Sequence, residues 1–207
     1  MDTRWRITVV IGAGLGLRQG EVLGLSPDDI DEDSMLVHVR RQLRTVDRTL
    51  VFALPKGNKT RTVPLSPGVH AEIKNHLVAH PPTTVRLPWR KPTGDSVTVR
   101  LLATGEDGRL YTGDLFNKTV WEGAFRVAKL ARAKQVDGMH ALRHFYASTL
   151  LAQGVSIKEL ATYLGHADPG FTLRVYTHLV PSSHQRARLA VDTVFGRPGD
   201  PDGLEAA

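Results

Sequence analysis

The 207-residue chain contains no cysteine, which excludes disulfides, thiolate nucleophiles and cysteine-based zinc sites. It has no apolar run long enough to cross a bilayer. The longest run near the N-terminus, residues 7–17, is short and interrupted by Gly12, Gly14 and Gly16. No signal-peptide cleavage pattern follows it, so the expected location is the cytoplasm. Internal repeats are absent, and no linker marks a second folded domain. Acidic side chains are in deficit, 21 Asp and Glu against 27 Lys and Arg, a net charge of +6 with a pI near 9.8. Such an excess is the electrostatic footprint of a nucleic-acid binder, although unrelated basic proteins share it. The 41% hydrophobic content is ordinary for a globular protein and argues against global disorder.

Two further absences remove plausible readings. Arg6 to Gly14 reads like a strand entering a dinucleotide-binding turn, but the G-x-G-x-x-G fingerprint needs Gly or Ala where this chain has Leu17. His140 and His144 stand at i, i+4 like a zinc pair, but Ala141 replaces the glutamate of H-E-x-x-H. Neither a nucleotide cofactor nor a metal is expected.

The pattern along the chain predicts an α+β fold, mainly helical, with a small three-stranded antiparallel sheet in the N-terminal half. Residues 5–17 fit either a buried helix or a strand entering a glycine turn. Residues 19–25 add a helical turn or two, stopped by Ser26-Pro27. Met35 to Val46 alternates as one strand with a basic face. Thr49 to Leu54 and Thr60 to Leu65 follow as two more strands of a meander, joined by the turn Lys56-Gly57-Asn58-Lys59. Pro67 opens a helix to about His80. A proline-rich connection through Pro81, Pro82, Pro88 and Pro92 leads to a strand at 97–103. Asp114 is the expected N-cap of a helix over 115–133, followed by helices at 140–153, 156–164, 169–178 and 182–195. A single domain over 1–195 precedes a tail, 196–207, whose Gly, Pro and Asp content predicts disorder.

Six side chains make a chemical set. Two arginines, Arg18 and Arg143, could clamp the non-bridging oxygens of a phosphodiester as charge gathers there in the transition state. His140 and His166 could add hydrogen bonds to the same oxygens. Lys56, on a short turn, could protonate a leaving alkoxide. Tyr176 could attack phosphorus and hold it covalently. Taken singly, each has an ordinary explanation: surface ion pairs for the arginines, a solvated turn for Lys56 and Lys59, helix packing for Tyr176. His178 and His184 read as surface or locally packed residues without a role.

Together the motifs resemble the tyrosine recombinases, or phage integrases. Gly14-Leu15-Gly16-Leu17-Arg18-Gln19-Gly20-Glu21 is similar to their first arginine motif, and Pro55-Lys56-Gly57-Asn58-Lys59-Thr60-Arg61 to their hairpin lysine segment. Met139-His140-Ala141-Leu142-Arg143-His144 resembles the His-x-x-Arg motif. Leu164-Gly165-His166 and Val175-Tyr176-Thr177-His178 resemble the second histidine and the nucleophile. The resemblance, from about residue 5 to 195, implies a 3′-phosphotyrosyl intermediate on Tyr176 with a free 5′-hydroxyl. It implies Lys56, rather than Lys59, as general acid and Arg18 and Arg143 as the clamp. His140 and His166 become hydrogen-bond partners, with His140 also a proton acceptor, and Glu21 orients Arg18. No metal, cofactor or ATP is implied. The expected partner is double-stranded DNA at the nucleoid, with no membrane, bound by a homo-oligomer that is a tetramer on paired sites.

The family usually carries a helical core-binding domain ahead of this one, and its absence here predicts an intact active site with weak, poorly selective DNA binding. Site-specific recombination is thus the leading expectation. Cleavage and religation of the type IB topoisomerase kind, and a non-catalytic DNA-binding remnant, are the alternatives. The apolar positions of helix 182–195 fit packing on a neighbouring protomer or on its own core.

Overall fold

The computed structural model describes residues 1–133, 136–176 and 184–195. The expected tail at 196–207, and Thr177 and His178 of the tyrosine motif, lie outside the described residues. Helices α1 (Thr3–Leu15) and α2 (Gln19–Leu23) lead into strands β1 (Ile30–Asp31), β2 (Leu36–Val39), β3 (Gln42–Val46), β4 (Thr49–Ala53) and β5 (Arg61–Pro64). Helix α3 (Pro67–Ala79) and strands β6 (Thr83–Pro88) and β7 (Ser96–Leu101) follow. The remainder is helical: α4 (Gly113–Phe116), α5 (Glu122–Val127), α6 (Met139–Ala152), α7 (Ile157–Leu164), α8 (Pro169–Tyr176) and α9 (His184–Phe195). Helices outweigh small antiparallel sheets, which is the α+β class. Among the described residues no helix is long and apolar enough to cross a membrane.

The ambiguous N-terminal run is a helix. The Asp2 carboxylate caps α1 by accepting from the Arg4 amide at 2.9 Å, and Gly16 ends it in the left-handed conformation, φ 62°. Its buried residues, Trp5, Ile7, Thr8, Ile11, Gly12 and Leu15, occupy more than one face because the helix packs against both α3 and α6. The glycines permit that approach. A Cβ on Gly12 would lie 2.8 Å from Leu142 Cδ1 of α6, and one on Gly14 would lie 2.4 Å from Val69 Cγ2 of α3.

The sheet is not the expected meander. What alternation read as one strand breaks at Arg40-Arg41, where the Arg41 guanidinium turns to grip Asp29 at 2.6 and 2.9 Å. β2 pairs with β1 and β5 in a three-stranded antiparallel sheet, whereas β3 and β4 form a separate hairpin. β5 therefore skips β4 and returns to β2, burying Val63 opposite Val37. The connection after α3 contains a strand that its prolines concealed. β6 pairs with β7 along its length, and Pro88 falls at its last position, opposite Ser96, where a lost N–H donor costs the ladder least.

The helix expected at 115–133 is shorter and interrupted. Thr112, not Asp114, caps α4, its hydroxyl accepting from the Leu115 amide at 3.1 Å. A π-helical turn at 117–121 separates α4 from α5. It carries Trp121, whose indole N–H donates to the Asp137 carbonyl at 2.7 Å, tying α5 to the segment that leads into α6. On α9, Val191, Val194 and Phe195 are exposed, so these side chains do not pack on the chain's own core.

The close approach at Gly14 generates a prediction. Gly14→Val should destabilise the fold by about 1–3 kcal/mol through overpacking against α3, and Val69→Ala in the same chain should recover part of the loss. Urea denaturation of the three variants measures both effects.

Candidate active site

Arg18 sits at the turn between α1 and α2. Its backbone amide and its guanidinium both donate to Glu21, at 2.9 and 3.0 Å, so one carboxylate caps the helix and fixes the arginine. Glu21 is fully buried and also accepts a two-pronged contact from Arg61 of β5, at 2.9 and 2.6 Å. Burial alone would raise the carboxyl's pKa, but the hydrogen bonds and charges of Arg61 and Arg18 together outweigh it and hold the pKa below the usual range. Arg61 Nε donates in turn to the Tyr163 carbonyl of α7 at 2.7 Å. The strand after the lysine turn, the first arginine and α7 are thereby tied together.

Arg143, on α6, is 1% exposed. Its guanidinium donates to the Gly16 carbonyl at 2.7 Å, to the Leu164 carbonyl and to His166 Nε2 at 3.2 Å. Burial, and then the nearby Arg18 and Arg61 cations, bring its pKa down to about 9, which leaves it charged at neutral pH. His166 follows Gly165, whose left-handed conformation (φ 65°) ends α7; a Cβ there would lie 2.9 Å from Arg61 Cδ.

The hydrogen bonds around His166 define its protonation. Arg143 can only donate, so Nε2 accepts and the neutral ring carries its proton on Nδ1. Nδ1 lies 2.7 Å from the hydroxyl of Thr172, a fully buried residue of α8. Burial, then Arg143, Arg18, Arg61 and His140, lowers the His166 pKa to about 4. The ring is therefore neutral at pH 7.

His140, near the start of α6, meets His144 edge to face at 4.7 Å between ring centroids. The His144 ring lies 5.4 Å from that of Tyr176. Burial first, with nearby positive charge, lowers the pKa of both histidines. Tyr176, the last residue of α8, is 2% exposed; burial raises its phenol pKa, opposed by Arg143. At neutral pH it is a phenol, and its ionisation requires a base.

Arg18, Lys56, His140, Arg143, His166 and Tyr176 line one cavity of about 540 Å³. Lys56 reaches it from the exposed turn after β4, whereas Lys59 does not line it. Glu21 stands behind Arg18. Three residues in this arrangement had no assigned role in the sequence. Arg61 lay within the quoted lysine segment, and its only signal was that a buried Glu21 would need a second cation. In the sequence His144 stands out only as the second histidine of an i, i+4 pair, yet it lines the wall beside Tyr176. Among the described residues no group of three or more His, Asp or Glu is placed to hold a metal ion. Thr172 carried no signal at all, since a helical threonine is unremarkable until its neighbours are known.

Two predictions follow from these contacts. Glu21→Gln should cost about 3–5 kcal/mol at neutral pH, because it leaves Arg61 buried without its counter-charge. Because the native Glu21 pKa is depressed, the wild-type advantage is complete above the ordinary carboxylate range and disappears as pH falls through the lowered value. Urea melts across an acid pH series test this. Thr172→Val should strip His166 Nδ1 of its hydrogen-bond partner while Arg143 still holds the tautomer, seen as a shifted Nδ1 ¹⁵N resonance, and Thr172→Ser should preserve that resonance.

Comparison with known proteins agrees with this architecture. The phage integrase family profile matches residues 1–182. The XerC-like tyrosine recombinase of Caldanaerobacter subterraneus subsp. tengcongensis is 30% identical over 203 residues, covering 93% of this chain and 50% of the relative. XerA of Pyrococcus furiosus is 29% identical over 198 residues, covering 93% and 58%. The chain thus spans about half the length of the curated relatives it matches. Among solved structures, the Tn1549 transposon integrase in complex with transposon right end DNA superposes with a TM-score of 0.70 at 20% identity, covering 93% of this chain and 59% of that one. The catalytic domain of bacteriophage HP1 integrase gives 0.53 at 20% identity, covering 92% and 83%. With the family profile covering most of its length, the chain belongs to the phage integrase family.

Proposed function

We propose that this chain cuts and rejoins double-stranded DNA through a phosphotyrosine, in the service of site-specific recombination. One observation carries the reading: six side chains suited to phosphoryl transfer converge on one cavity, with its buried arginine anchored from behind. The Tyr176 oxygen attacks phosphorus, and a P–O bond forms as the bond to the 5′ oxygen breaks. The phenolic proton passes to His140, which is neutral at pH 7. The 5′ oxygen takes a proton from Lys56, and the 3′ phosphate remains esterified to Tyr176. Attack by a 5′-hydroxyl reverses each step and rejoins the strand.

Arg18 and Arg143 hold the non-bridging oxygens, so their charge acts where negative charge develops. His166 contributes a hydrogen bond to the same oxygens once a phosphate replaces Arg143 as the partner of Nε2. That exchange requires its proton on Nε2 instead of Nδ1, and the Thr172 hydroxyl, able to donate as well as accept, can support either tautomer. Glu21 and Arg61 position the clamp. The DNA in the Tn1549 integrase complex supports duplex DNA as partner here, and paired sites would bring four copies together.

Nicked suicide duplexes of varied sequence test the reading. The wild type should form a covalent adduct that survives a denaturing gel, and Tyr176→Phe should form none; an adduct in that variant sinks the nucleophile assignment. Lys56→Ala should slow cleavage by roughly 10²–10⁴-fold, the usual worth of a general acid. A 5′-thiolate leaving group needs no proton and should restore the rate. Adducts without strand exchange between paired sites would favour the topoisomerase-like activity.

A further inference from the structure

Tyr176, His144 and His140 line the cavity as a chain of ring contacts. The His144 ring lies 5.4 Å from that of Tyr176, tilted by 55°, and 4.7 Å from that of His140, at 90°. Among the described residues no ring contact joins His140 directly to Tyr176. His140 and His144 stand one turn apart on α6, which places them on the same helix face; α8 supplies the tyrosine. Exposure rises along the chain of contacts. Tyr176 is buried, His144 is half-buried and His140 is exposed. An imidazole thus stands between the buried phenol and the exposed acceptor.

A phenol that attacks phosphorus must lose its proton, into a cavity already lined by Arg18, Lys56 and Arg143. Arg143 precedes His144 on the same helix, and after burial its charge is what disfavours an imidazolium there. An imidazole can nevertheless move a proton without keeping it. One ring nitrogen accepts while the other releases, so the ring changes tautomer and ends neutral. The cations that face His140 are Arg143, Arg18 and Lys56, the groups whose charge a bound phosphate offsets. Among the described residues no hydrogen bond joins the three side chains; catalytic hydrogen bonds commonly tighten only when substrate is bound.

We infer that His144 is a catalytic proton relay between Tyr176 and His140; the inference rests on the DNA-cleaving reading of the cavity. As the Tyr176 oxygen bonds to phosphorus, its O–H bond breaks and an N–H bond forms on one ring nitrogen of His144. The proton on the other nitrogen passes to His140, which becomes the imidazolium. His144 ends neutral with its tautomer exchanged. Rejoining runs both transfers backwards and returns the proton to Tyr176.

The rate of adduct formation on a nicked suicide duplex tests the relay. His144→Phe keeps a ring against Tyr176 but carries no exchangeable proton. It should slow adduct formation by roughly 10²–10⁴-fold, the usual worth of a proton-transfer group. A 5′-thiolate leaving group should not relieve this defect, because the missing transfer is at the nucleophile; relief would overturn the relay. His144→Ala opens room for an added base, and rescue is read within that one variant, so a general fold defect does not mimic it. Imidazole should restore much of its rate. By contrast, 1-methylimidazole, which can accept a proton but has none to pass on, should not. Equal rescue by the two would make position 144 the final acceptor and overturn the relay. Absence of imidazole rescue, or a wild-type rate in His144→Phe, overturns it as well. A wild-type adduct with an unimpaired His144→Phe removes the relay alone, whereas no adduct from the wild type removes the cleavage reading and the relay with it.

Discussion

The Glu21 carboxylate lies fully buried between two guanidinium groups, and three parts of the chain meet through it. Its oxygens receive Arg18, the cap of α2, and both prongs of Arg61, which also holds the end of α7. An isolated buried charge would be prohibitive, so each member is tolerable only because the others are present. The arrangement does more than offset burial. Arg18 is held with part of its guanidinium still able to face the cavity, while Arg61, 6% exposed, is spent entirely on structure. One arginine thereby fixes the working geometry of another.

Arg143 is organised differently. Backbone carbonyls, not a carboxylate, receive its donors, one from the end of α1 and one from the end of α7. Carbonyls orient a guanidinium without cancelling its charge, so the site retains net positive potential deep inside the protein. The lowered pKa values of His140, His144 and His166 come first from burial and then from that potential. Histidines kept neutral can accept protons or share hydrogen bonds without adding further charge repulsion beside the arginines, which fits the anionic substrate proposed for this cavity.

How much of this was legible in the sequence depended on how locally each feature is encoded. The chemical side chains could be read because residue type and motif context constrain them. Helices α6 and α7 could be read because apolar spacing and the stops at Gly154 and Gly165 mark them. Arg61 could not, because its partner Glu21 is 40 residues away in sequence, and nothing local distinguishes it from a surface arginine. The strand β6 was hidden by prolines that read as a connection until its pairing placed Pro88 at the ladder's end. The meander failed for a related reason. Alternation told which face of each strand is buried but not which neighbour it pairs with, and the Arg41–Asp29 contact that breaks the long strand is tertiary.

The bond from Arg143 to the Gly16 carbonyl spans 127 positions, and the one to the Leu164 carbonyl spans 21. No fragment lacking either the first helix or the last third of the domain can seat this arginine. During synthesis, then, the contacts that seat Arg143 are complete only after α7 has emerged from the ribosome and packed against α6 and β5. Completion of the chain acts as a built-in interlock: an unfinished or proteolytically clipped copy carries the basic surface but not the assembled centre.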